Sequence, residues 1–298
     1  MIRPIDWKEF RRYPVVVSIA LLAGGLSVAW WVKADVWSLF ESSEIHRGQF
    51  WRLFSSAFPH INILHLVFNV YWLWVFGARV EQAFGHVKTA GLLALFAAGS
   101  NALDFAFDAG GVGLSGVVYG LFSLLWVLSR RDDRFRDTMD QETVRVFVGW
   151  FFLCIATTMA GMFTVANVAH GGGAILGILV GAAITLPRYR WLPAAAVSGI
   201  LIFGAWGATL GRPFVNLSKT AGFQEGQWGH EALLANRNEE AVRWFSEAAK
   251  LQPKIPQFWF NLGIAYHRLG NLPTAKAAYE RAHQLEPNNP DYNVPKVD

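Results

Sequence analysis

A serine and a histidine, each at the start of an apolar stretch, are the residues of this chain best suited to chemistry. Ser115 lies in the sequence Gly-Leu-Ser-Gly and opens the apolar run 115–128. His170 opens a second apolar run further along the chain. A serine hydroxyl is a weak nucleophile until a neighbouring base accepts its proton. A nucleophile and a base at the mouths of two membrane helices predict the hydrolysis of peptide bonds inside a lipid bilayer.

Glycines give these two predicted helices the surfaces for a close approach. Gly116 and Gly120 are four residues apart on the serine helix. Gly173 and Gly177 follow the histidine along one face of the other helix. Faces of small residues let membrane helices approach closely. The sequence therefore predicts that the histidine reaches the serine across this contact.

The base has no obvious acidic partner. Asp104 and Asp108 are the only carboxylates near the right depth, and both are expected in the surface loop before the serine. Tyr119 follows Ser115 by four residues and shares its helix face. We therefore predict a dyad of Ser115 and His170, in which Tyr119 packs the imidazole in place of an aspartate.

A polar cluster in the second predicted span contains candidate oxyanion donors. His65 and Asn69 are i and i+4 and share a helix face, which Asn62 joins. Polar side chains inside a span usually face the protein interior, where they serve a function or bond neighbouring helices. Acyl transfer requires donors for the negative oxygen of the tetrahedral intermediate. The backbone N–H of Ser115 is one candidate, and the side chains of His65 and Asn69 are the others.

The composition is that of a membrane protein with a soluble tail. The 298 residues are 53% hydrophobic and 16% charged, whereas soluble domains carry about 25% charge. Apolar residues dominate the range 15–210, and the chain from Gly222 onward reads as a soluble helical protein. The single cysteine, Cys154, excludes an intramolecular disulfide and a multi-cysteine metal site. We predict no metal, no cofactor and no nucleic-acid partner.

Seven apolar stretches predict membrane spans, since a helix needs about 20 apolar residues to cross the hydrocarbon core. The fourth stretch is short, so Ser115 is expected below the membrane surface. The first stretch lacks a small-residue cleavage site, and no removable signal peptide is expected. The predicted spans are 15–33, 62–82, 87–107, 115–129, 146–164, 168–187 and 192–210.

Arginines indicate which side of the membrane each loop faces. Five arginines lie in the loop 130–145, whereas the loops 108–114 and 164–167 contain no Lys or Arg. Cytoplasmic loops carry the excess of positive residues, so the N-terminus and the arginine loop are predicted to be cytoplasmic. Ser115 and His170 then open toward the outer side. Seven spans place the tail outside as well, and without the seventh the tail would be cytoplasmic.

A period of 34 residues marks the C-terminal tail. Small and aromatic residues recur at this spacing, a pattern typical of tetratricopeptide repeats, in which helix pairs stack. Two repeats are fewer than the roughly three that such arrays need, so the tail is expected to pack on the membrane domain, self-associate or recruit a protein. The repeated positions are Glu225, Trp228, Gly229, Ala232, Asn236, Ala241, Phe245, Ala248 and Pro253, then Trp259, Leu262, Gly263, Tyr266, Gly270, Ala275, Tyr279, Ala282 and Pro287.

The membrane part of the chain resembles the rhomboid family of intramembrane serine proteases over residues 47–185. Several short motifs carry the resemblance, and their joint occurrence is specific. They are Gly113-Leu114-Ser115-Gly116, the Ala-His-x-x-Gly-x-x-x-Gly element from Ala169 to Gly177, His60 with His65 and Asn69, Trp51-Arg52, and Gly77 with Glu81 and Gly85.

The resemblance implies a role for each matched residue. Ser115 would be the nucleophile, and His170 the general base and then the general acid. His65 and Asn69 would be oxyanion donors, and Tyr119 would stack on the histidine. It also implies a six-helix core that admits water from above, and substrates that are membrane helices able to unwind near small residues. Supporting or structural roles fall to Gly113, Gly116, Gly173, Gly177, His60, Trp51 and Arg52.

The sequence as a whole predicts an all-α protein. Its membrane part is a polytopic helix bundle with a rhomboid-like six-helix core and a seventh span, and a soluble tetratricopeptide domain follows. The expected partners are transmembrane protein substrates, the lipid bilayer and a protein bound by the tail. A bacterial inner membrane is the expected location. The predicted segments are a cytoplasmic segment 1–14, the membrane core 15–190, the seventh helix 191–212 and the helical tail 222–290.

Two other functions compete with an intramembrane serine endopeptidase. A catalytically silent, rhomboid-like binder of membrane helices would use its tail as an adaptor. Such a binder would not need Ser115 or His170, and the presence of both residues argues against it. A channel or transporter would show more charged residues within spans, or symmetry between its halves, and the sequence shows neither.

Overall fold

The structure, a computed structural model, describes residues 10–292 and divides the chain into two compact units. The first unit ends at Thr209, and the second begins at Leu210. Helices are the only regular elements in the described residues, which confirms the predicted all-α fold. Most of the predicted N-terminal segment 1–14 lies outside the described residues.

The described part of the first unit contains eight helices, of which five are long and apolar enough to cross a membrane. The protein is therefore an integral, multi-pass membrane protein. The five long helices are α1 (Pro14–Trp31), α3 (Ile63–Phe84), α4 (His86–Phe107), α6 (Gln141–Met159) and α7 (Asn167–Thr185). The shorter ones are α2 (Arg52–Ser55), α5 (Ser115–Leu128) and α8 (Trp191–Gly207).

Helix α5 is the centre of the membrane unit. Eleven of its fourteen residues are buried, so neighbouring helices surround it on most sides. At 1.5 Å per residue it is only about 21 Å long. On the side that faces α4, Phe96 packs directly over Gly120, where an added Cβ would lie 2.5 Å from the ring. The helix is therefore enclosed along its length, and only its first residue, Ser115, and two residues near its end are not buried.

Glycines join α5 to α7 by backbone contact. A Cβ placed on Gly173 would overlap the carbonyl oxygen of Gly116, and one placed on Gly177 would overlap that of Gly120. No side chain larger than hydrogen fits at either position without separating the two backbones. The predicted glycine contact between the two helices is therefore present. It occurs at two positions, one helical turn apart.

A buried carboxylate anchors α1 to the end of α3. The Glu81 side chain accepts hydrogen bonds from the backbone N–H groups of Val15 and Val16, each at 3.0 Å. These are first-turn donors that have no partner within their own helix. Gly77, one turn earlier, lies against Val16, where an added Cβ would be 2.8 Å from a methyl group. The Gly-x-x-x-Glu spacing thus provides one close approach and one helix cap on the same face.

Helix α6 begins and ends earlier than predicted. The sequence analysis places this span at 146–164, whereas the helix runs from Gln141 to Met159. The Asp140 carboxylate accepts from the N–H of Thr143 at 2.7 Å and so caps a polar first turn that hydropathy alone does not include. Only Phe147 and Cys154 of this helix are buried. It is the most exposed of the five long apolar helices.

Helix α8 corresponds to the seventh predicted span. Its seventeen residues cover about 25 Å, less than the roughly 30 Å of a hydrocarbon core. It packs against α4 at small residues, where Cβ atoms added to Gly99 and Gly204 would lie 3.1 Å from Leu201 and Ala102, respectively.

The second unit contains two helix pairs preceded by a short helix. In both pairs a glycine of the first helix receives an aromatic ring from the second helix: Gly229 lies against Phe245, and Gly263 against Tyr279. These positions repeat with the predicted period. The helices are α9 (Arg212–Val215), then α10 (Phe223–Leu234) with α11 (Asn238–Leu251), and α12 (Pro256–Arg268) with α13 (Leu272–Leu285).

A buried ion pair connects the short helix to the first repeat. Arg212 Nε lies 3.2 Å from the Glu225 carboxylate, and both side chains are almost fully buried. The same carboxylate accepts from the N–H of Gly222 at 3.0 Å. The repeat position occupied by Glu225 is therefore a junction between α9, the loop after it and α10.

Replacing Glu225 with Ala is expected to destabilise the tail by about 3 kcal/mol, because it leaves a buried arginine without its carboxylate. Limited proteolysis of the full chain should then cut within 210–222 faster than in the parent protein. Glu225→Gln keeps one acceptor oxygen for Arg212 or Gly222 but loses the charge and the second oxygen, so its digestion rate should lie between the other two. Identical digestion of all three proteins would mean that the pair contributes nothing to the order of the tail.

Candidate active site

Ser115 is the first residue of α5, and a glycine conformation and two hydrogen bonds position the loop before it. Gly113 has a φ of 116°, a conformation that favours glycine. Its N–H donates to the carbonyl of Ser56 at 3.0 Å, and the N–H of Leu114 donates to Nε2 of His60 at 3.3 Å. Ser115 itself is partly exposed. The glycine turn and its two hydrogen bonds hold the serine at the open end of a buried helix.

His170 lies in the first turn of α7, and its side chain is only 5% exposed. Its ring packs on that of Tyr119, with 4.7 Å between ring centroids and 32° between planes. Its Nδ1 is buried and has no hydrogen-bond partner among the described residues. The His170 ring therefore packs on the tyrosine, and no acid among the described residues bonds its Nδ1.

The glycine contact places the start of α5, with Ser115, beside the start of α7, with His170. A Cβ on Gly116, the residue after Ser115, would lie 3.3 Å from the carbonyl oxygen of Ala169, the residue before His170. Tyr119, one turn below the serine, contacts the histidine ring. The two residues thus stand on adjoining helices within one helical turn of each other.

His65 lies beside the turn that precedes Ser115. A Cβ added to Gly113 would be 2.7 Å from Cε1 of His65, so only glycine leaves room for this ring. Asn69 is 1% exposed, and its Nδ2 donates to the carbonyl of His65 at 2.9 Å. Its Oδ1 is buried without a partner in the part of the chain that the structure describes. His65, one of the two side chains assigned to the oxyanion hole, therefore lies against the loop that carries Gly113. Asn69, the other, follows one turn later on α3.

His60 holds the same loop and lies next to His65. Its ring contacts that of His65 edge to face at 4.8 Å, and its Nδ1 lies 3.4 Å from the Ser27 hydroxyl. Burial, and to a lesser degree the charge of His65, lowers the pKa of His60 to about 3. The ring is therefore neutral, and its Nε2 accepts from Leu114 because Nδ1 carries the proton. His60 has the structural place that the sequence analysis expects for it.

Asn62 does not belong to the polar face of α3. It is exposed and caps the helix, since its side-chain oxygen accepts from the N–H of His65 at 2.9 Å. An asparagine directly before an apolar run is a common N-cap. That signal is present in the sequence and identifies the role.

Asp104 is the residue that the sequence analysis misplaces. It was expected in a surface loop, but it lies inside α4 and is only 2% exposed. Its carboxylate accepts from the N–H of Ala169 at 3.1 Å. That N–H belongs to the first turn of α7 and has no partner within the helix. The available signal is the i, i+4 spacing of Ser100 and Asp104, which puts both on the face of α4 that meets the site.

Arg52 and Asn101 stabilise the first loop beside the site. The Arg52 side chain is buried and donates to the Gln49 side chain at 2.7 Å and the Glu41 carbonyl at 3.1 Å. Asn101 of α4 donates to the carbonyl of Leu53 at 2.9 Å and to the Ser56 hydroxyl at 3.0 Å. Ser56 in turn accepts from Gly113. Asn101 of α4 is thus connected through Ser56 to Gly113, in the loop that precedes Ser115.

Helix α6 closes the site on the remaining side with aromatic rings. Phe147 and Phe151 pack on Tyr119, with ring centroids 5.5 and 5.7 Å apart. No group of three His, Cys, Asp or Glu residues with metal-binding geometry occurs among residues 10–292. The site therefore offers a hydroxyl, an imidazole and amide donors.

Family models match parts of both units of the chain. Residues 47–187 match the Rhomboid domain family model. Residues 229–270 match a TPR repeat model, and residues 256–289 match a Tetratricopeptide repeat model.

Curated relatives match the membrane part. A rhomboid protease GlpG of Yersinia pseudotuberculosis serotype I is 30% identical over 179 residues, which cover 56% of this chain and 61% of that protein. A rhomboid protease GlpG of Salmonella typhi is 28% identical over 189 residues, 61% of this chain and 64% of that protein. The chain thus spans less than two thirds of the length of these relatives. Together with the family models, they show that residues 47–187 of this chain are similar to rhomboid proteins and that its tail is similar to tetratricopeptide repeats.

Proposed function

We propose that this protein is an intramembrane serine endopeptidase, which hydrolyses peptide bonds in or near the transmembrane segments of other membrane proteins. The observation that carries the proposal is the glycine contact between α5 and α7, which sets Ser115 and His170 on adjoining helices within one turn. The names of the relatives, both rhomboid proteases, support the same reaction class.

The proposed reaction begins with Ser115 and His170. The serine Oγ attacks the carbonyl carbon of the scissile bond while the imidazole accepts the hydroxyl proton. The histidine then gives this proton to the leaving amine, and the C–N bond breaks. In the second half a water molecule, deprotonated by the same histidine, attacks the acyl-serine ester. The carboxylic acid leaves, and Ser115 Oγ regains its proton.

The oxyanion of each tetrahedral intermediate requires preorganised donors. We assign this role to the backbone N–H of Ser115, at the start of a helix whose first donors lack intrahelical partners, and to the side chains of His65 and Asn69. The contact of His65 with Gly113 supports this assignment, and Asn69 lies one turn further along the same helix, where its Nδ2 bonds the His65 carbonyl.

We propose the membrane orientation that the arginine loop favours. The N-terminus and the loop 130–145 face the cytoplasm, and the starts of α5 and α7 face the opposite side. If α8 crosses, the tail is extracytoplasmic. A bacterial inner membrane fits this arrangement. The tetratricopeptide tail is proposed to bind a protein, either a partner or a second copy of the chain.

Ser115→Ala and His170→Ala are each expected to lower cleavage of a transmembrane substrate by roughly a thousandfold or more, as for other serine nucleophiles and their bases. The measurement is a cleavage assay with the purified full chain in liposomes. Ser123→Ala is the matched control, since Ser123 is a buried serine on the same helix. It should cleave at the parent rate.

The other outcomes separate the competing functions. Equal cleavage by all four proteins would indicate a contaminating protease and would refute the dyad. If none cleaves, a fluorophosphonate probe decides. Labelling of the parent at Ser115 would show a competent nucleophile that lacks its substrate. Absence of labelling in folded protein would favour a catalytically silent binder of membrane helices.

A further inference from the structure

A cavity lies at the end of α5 remote from Ser115. Its volume is about 510 Å³, within the range of small-molecule sites. The end of α5, the loop after it and the first turn of α6 form its walls. Three arginines, Arg130, Arg136 and Arg145, line it, and its lining includes no Asp or Glu. A concave site with three guanidinium groups favours an anion.

Three acidic residues near this cavity make contacts that can be assigned. Asp132 pairs with Arg134, outside the lining, and Asp140 caps α6. Asp133 pairs with Arg136, so this guanidinium is partly neutralised. The remaining two arginines have no carboxylate partner among the described residues. The lining therefore carries a net positive charge, whereas the stretch 130–145 as a whole, which also contains Asp137 and Glu142 outside the lining, is neutral.

Neutral groups hold those two arginines at the cavity wall. The Arg130 guanidinium lies over the Trp126 ring, 5.2 Å from its centroid. An Arg145 nitrogen lies 3.4 Å from the Gln141 side-chain oxygen. Neither contact removes charge, and each guanidinium retains donors for an incoming anion. Such forks suit the oxygens of a phosphate.

An apolar path leads from the cavity along α6 into the membrane. Val144 lines the cavity, and Val148 and Phe152 follow at i+4 and i+8 on the same face. Val148 and Phe152 are 46% and 62% exposed, and α6 is the least buried of the long helices. A molecule with an anionic head and hydrocarbon chains matches both parts of this surface.

We infer that this cavity binds the phosphate headgroup of an anionic phospholipid, whose acyl chains lie along α6. Basic pockets between membrane helices are suited to such headgroups. The inference stands on the cavity and its charges and is independent of the proposed peptidase activity. A bound headgroup joins the end of the serine helix to the start of the helix that packs on Tyr119, and so steadies α6 beside the candidate site.

The test uses the purified full chain and two probe lipids, dioleoylphosphatidylglycerol and dioleoylphosphatidylcholine, in mixed micelles. Native mass spectrometry measures how much of each lipid stays bound. The parent protein should retain phosphatidylglycerol at least tenfold better than phosphatidylcholine. The combined variant R130Q/R136Q/R145Q should lose this preference. The control R131Q/R188Q/R190Q removes the same charge from exposed arginines outside the cavity lining and should keep it.

Several outcomes would overturn the inference. The preference could survive in the cavity variant, or disappear equally in the control, which would indicate general charge attraction. Displacement of the lipid by millimolar glycerophosphoglycerol, which lacks acyl chains, would indicate a site for free phosphate esters. Crosslinking of the parent protein to a photoactivatable phosphatidylglycerol needs no variant. Label should fall within 126–152, and label confined to other segments would refute the site.

Discussion

Gly173→Ala should lower the cleavage rate about a hundredfold although it leaves Ser115 and His170 unchanged. The added methyl group would overlap the carbonyl oxygen of Gly116, a backbone atom that cannot rotate away. The two helices must separate at the level of the candidate dyad. Overpacking of this kind costs about 3 kcal/mol, and a displacement of 1 Å between reacting groups lowers rates about a hundredfold. Both the thermal unfolding temperature and the cleavage rate should fall.

Gly171→Ala is the matched control for this prediction. Gly171 is two residues earlier on the same helix, and an added Cβ there meets only Phe151, at 4.0 Å. Alanine in a helix is more stable than glycine by about 1 kcal/mol. This variant should therefore unfold at the parent temperature or slightly higher and retain activity. If both variants cleave normally, the backbone contact is not what positions the dyad.

Helices and motifs were predictable from the sequence where a pattern is local. The apolar runs place the membrane helices, and the spacing of Gly173 and Gly177 predicts their contact with α5 because both lie on one helix face. Tyr119 was assigned to the histidine for the same reason, and its ring does contact His170. In each case the residues that form the pattern lie four positions apart on one helix, so the sequence of that helix alone predicts the contact.

Positions that depend on a distant partner could not be predicted. Glu81 lies within a recognised motif, but its bonds to Val15 and Val16 join segments 65 and 66 residues apart. Asp104 reads as a loop residue because a carboxylate near the end of an apolar run is costly inside a membrane. Its partner, the N–H of Ala169, is equally remote in sequence. A hydropathy average counts the Asp104 carboxylate as unfavourable inside a membrane. It does not count the N–H of Ala169 at the start of α7, which bonds this carboxylate and offsets that cost.

The start of α6 shows the same limit at shorter range. Hydropathy begins the helix at the first long apolar run, whereas Asp140 caps it five residues earlier than predicted. The difference matters for function, because the added turn contains Gln141 and Arg145 of the basic cavity. A helix cap is a single side chain before a polar turn, and hydropathy averaged over many residues does not detect it.

Asp104→Ala should lower the cleavage rate about tenfold to a hundredfold, the range expected when a reacting group is displaced by up to about 1 Å. The change removes the acceptor for the N–H of Ala169, the residue before His170. An orphaned buried donor costs about 1–3 kcal/mol, and the first turn of α7 can then move relative to α5. Asp104 acts here as a positioning residue, since its carboxylate bonds the backbone and not the imidazole.

Asp104→Asn separates the two properties of this side chain. The carboxamide keeps an oxygen that accepts from Ala169 but carries no charge. If acceptance positions the histidine, Asn should restore most of the rate lost in Ala, with the deficit in kcat rather than in KM. Asp108→Ala, one turn further along the chain, removes an equal charge and should cleave at the parent rate. A parent-like rate in Asp104→Ala would show that α7 keeps His170 in place without this bond, so that the glycine contact with α5 alone sets the geometry of the dyad.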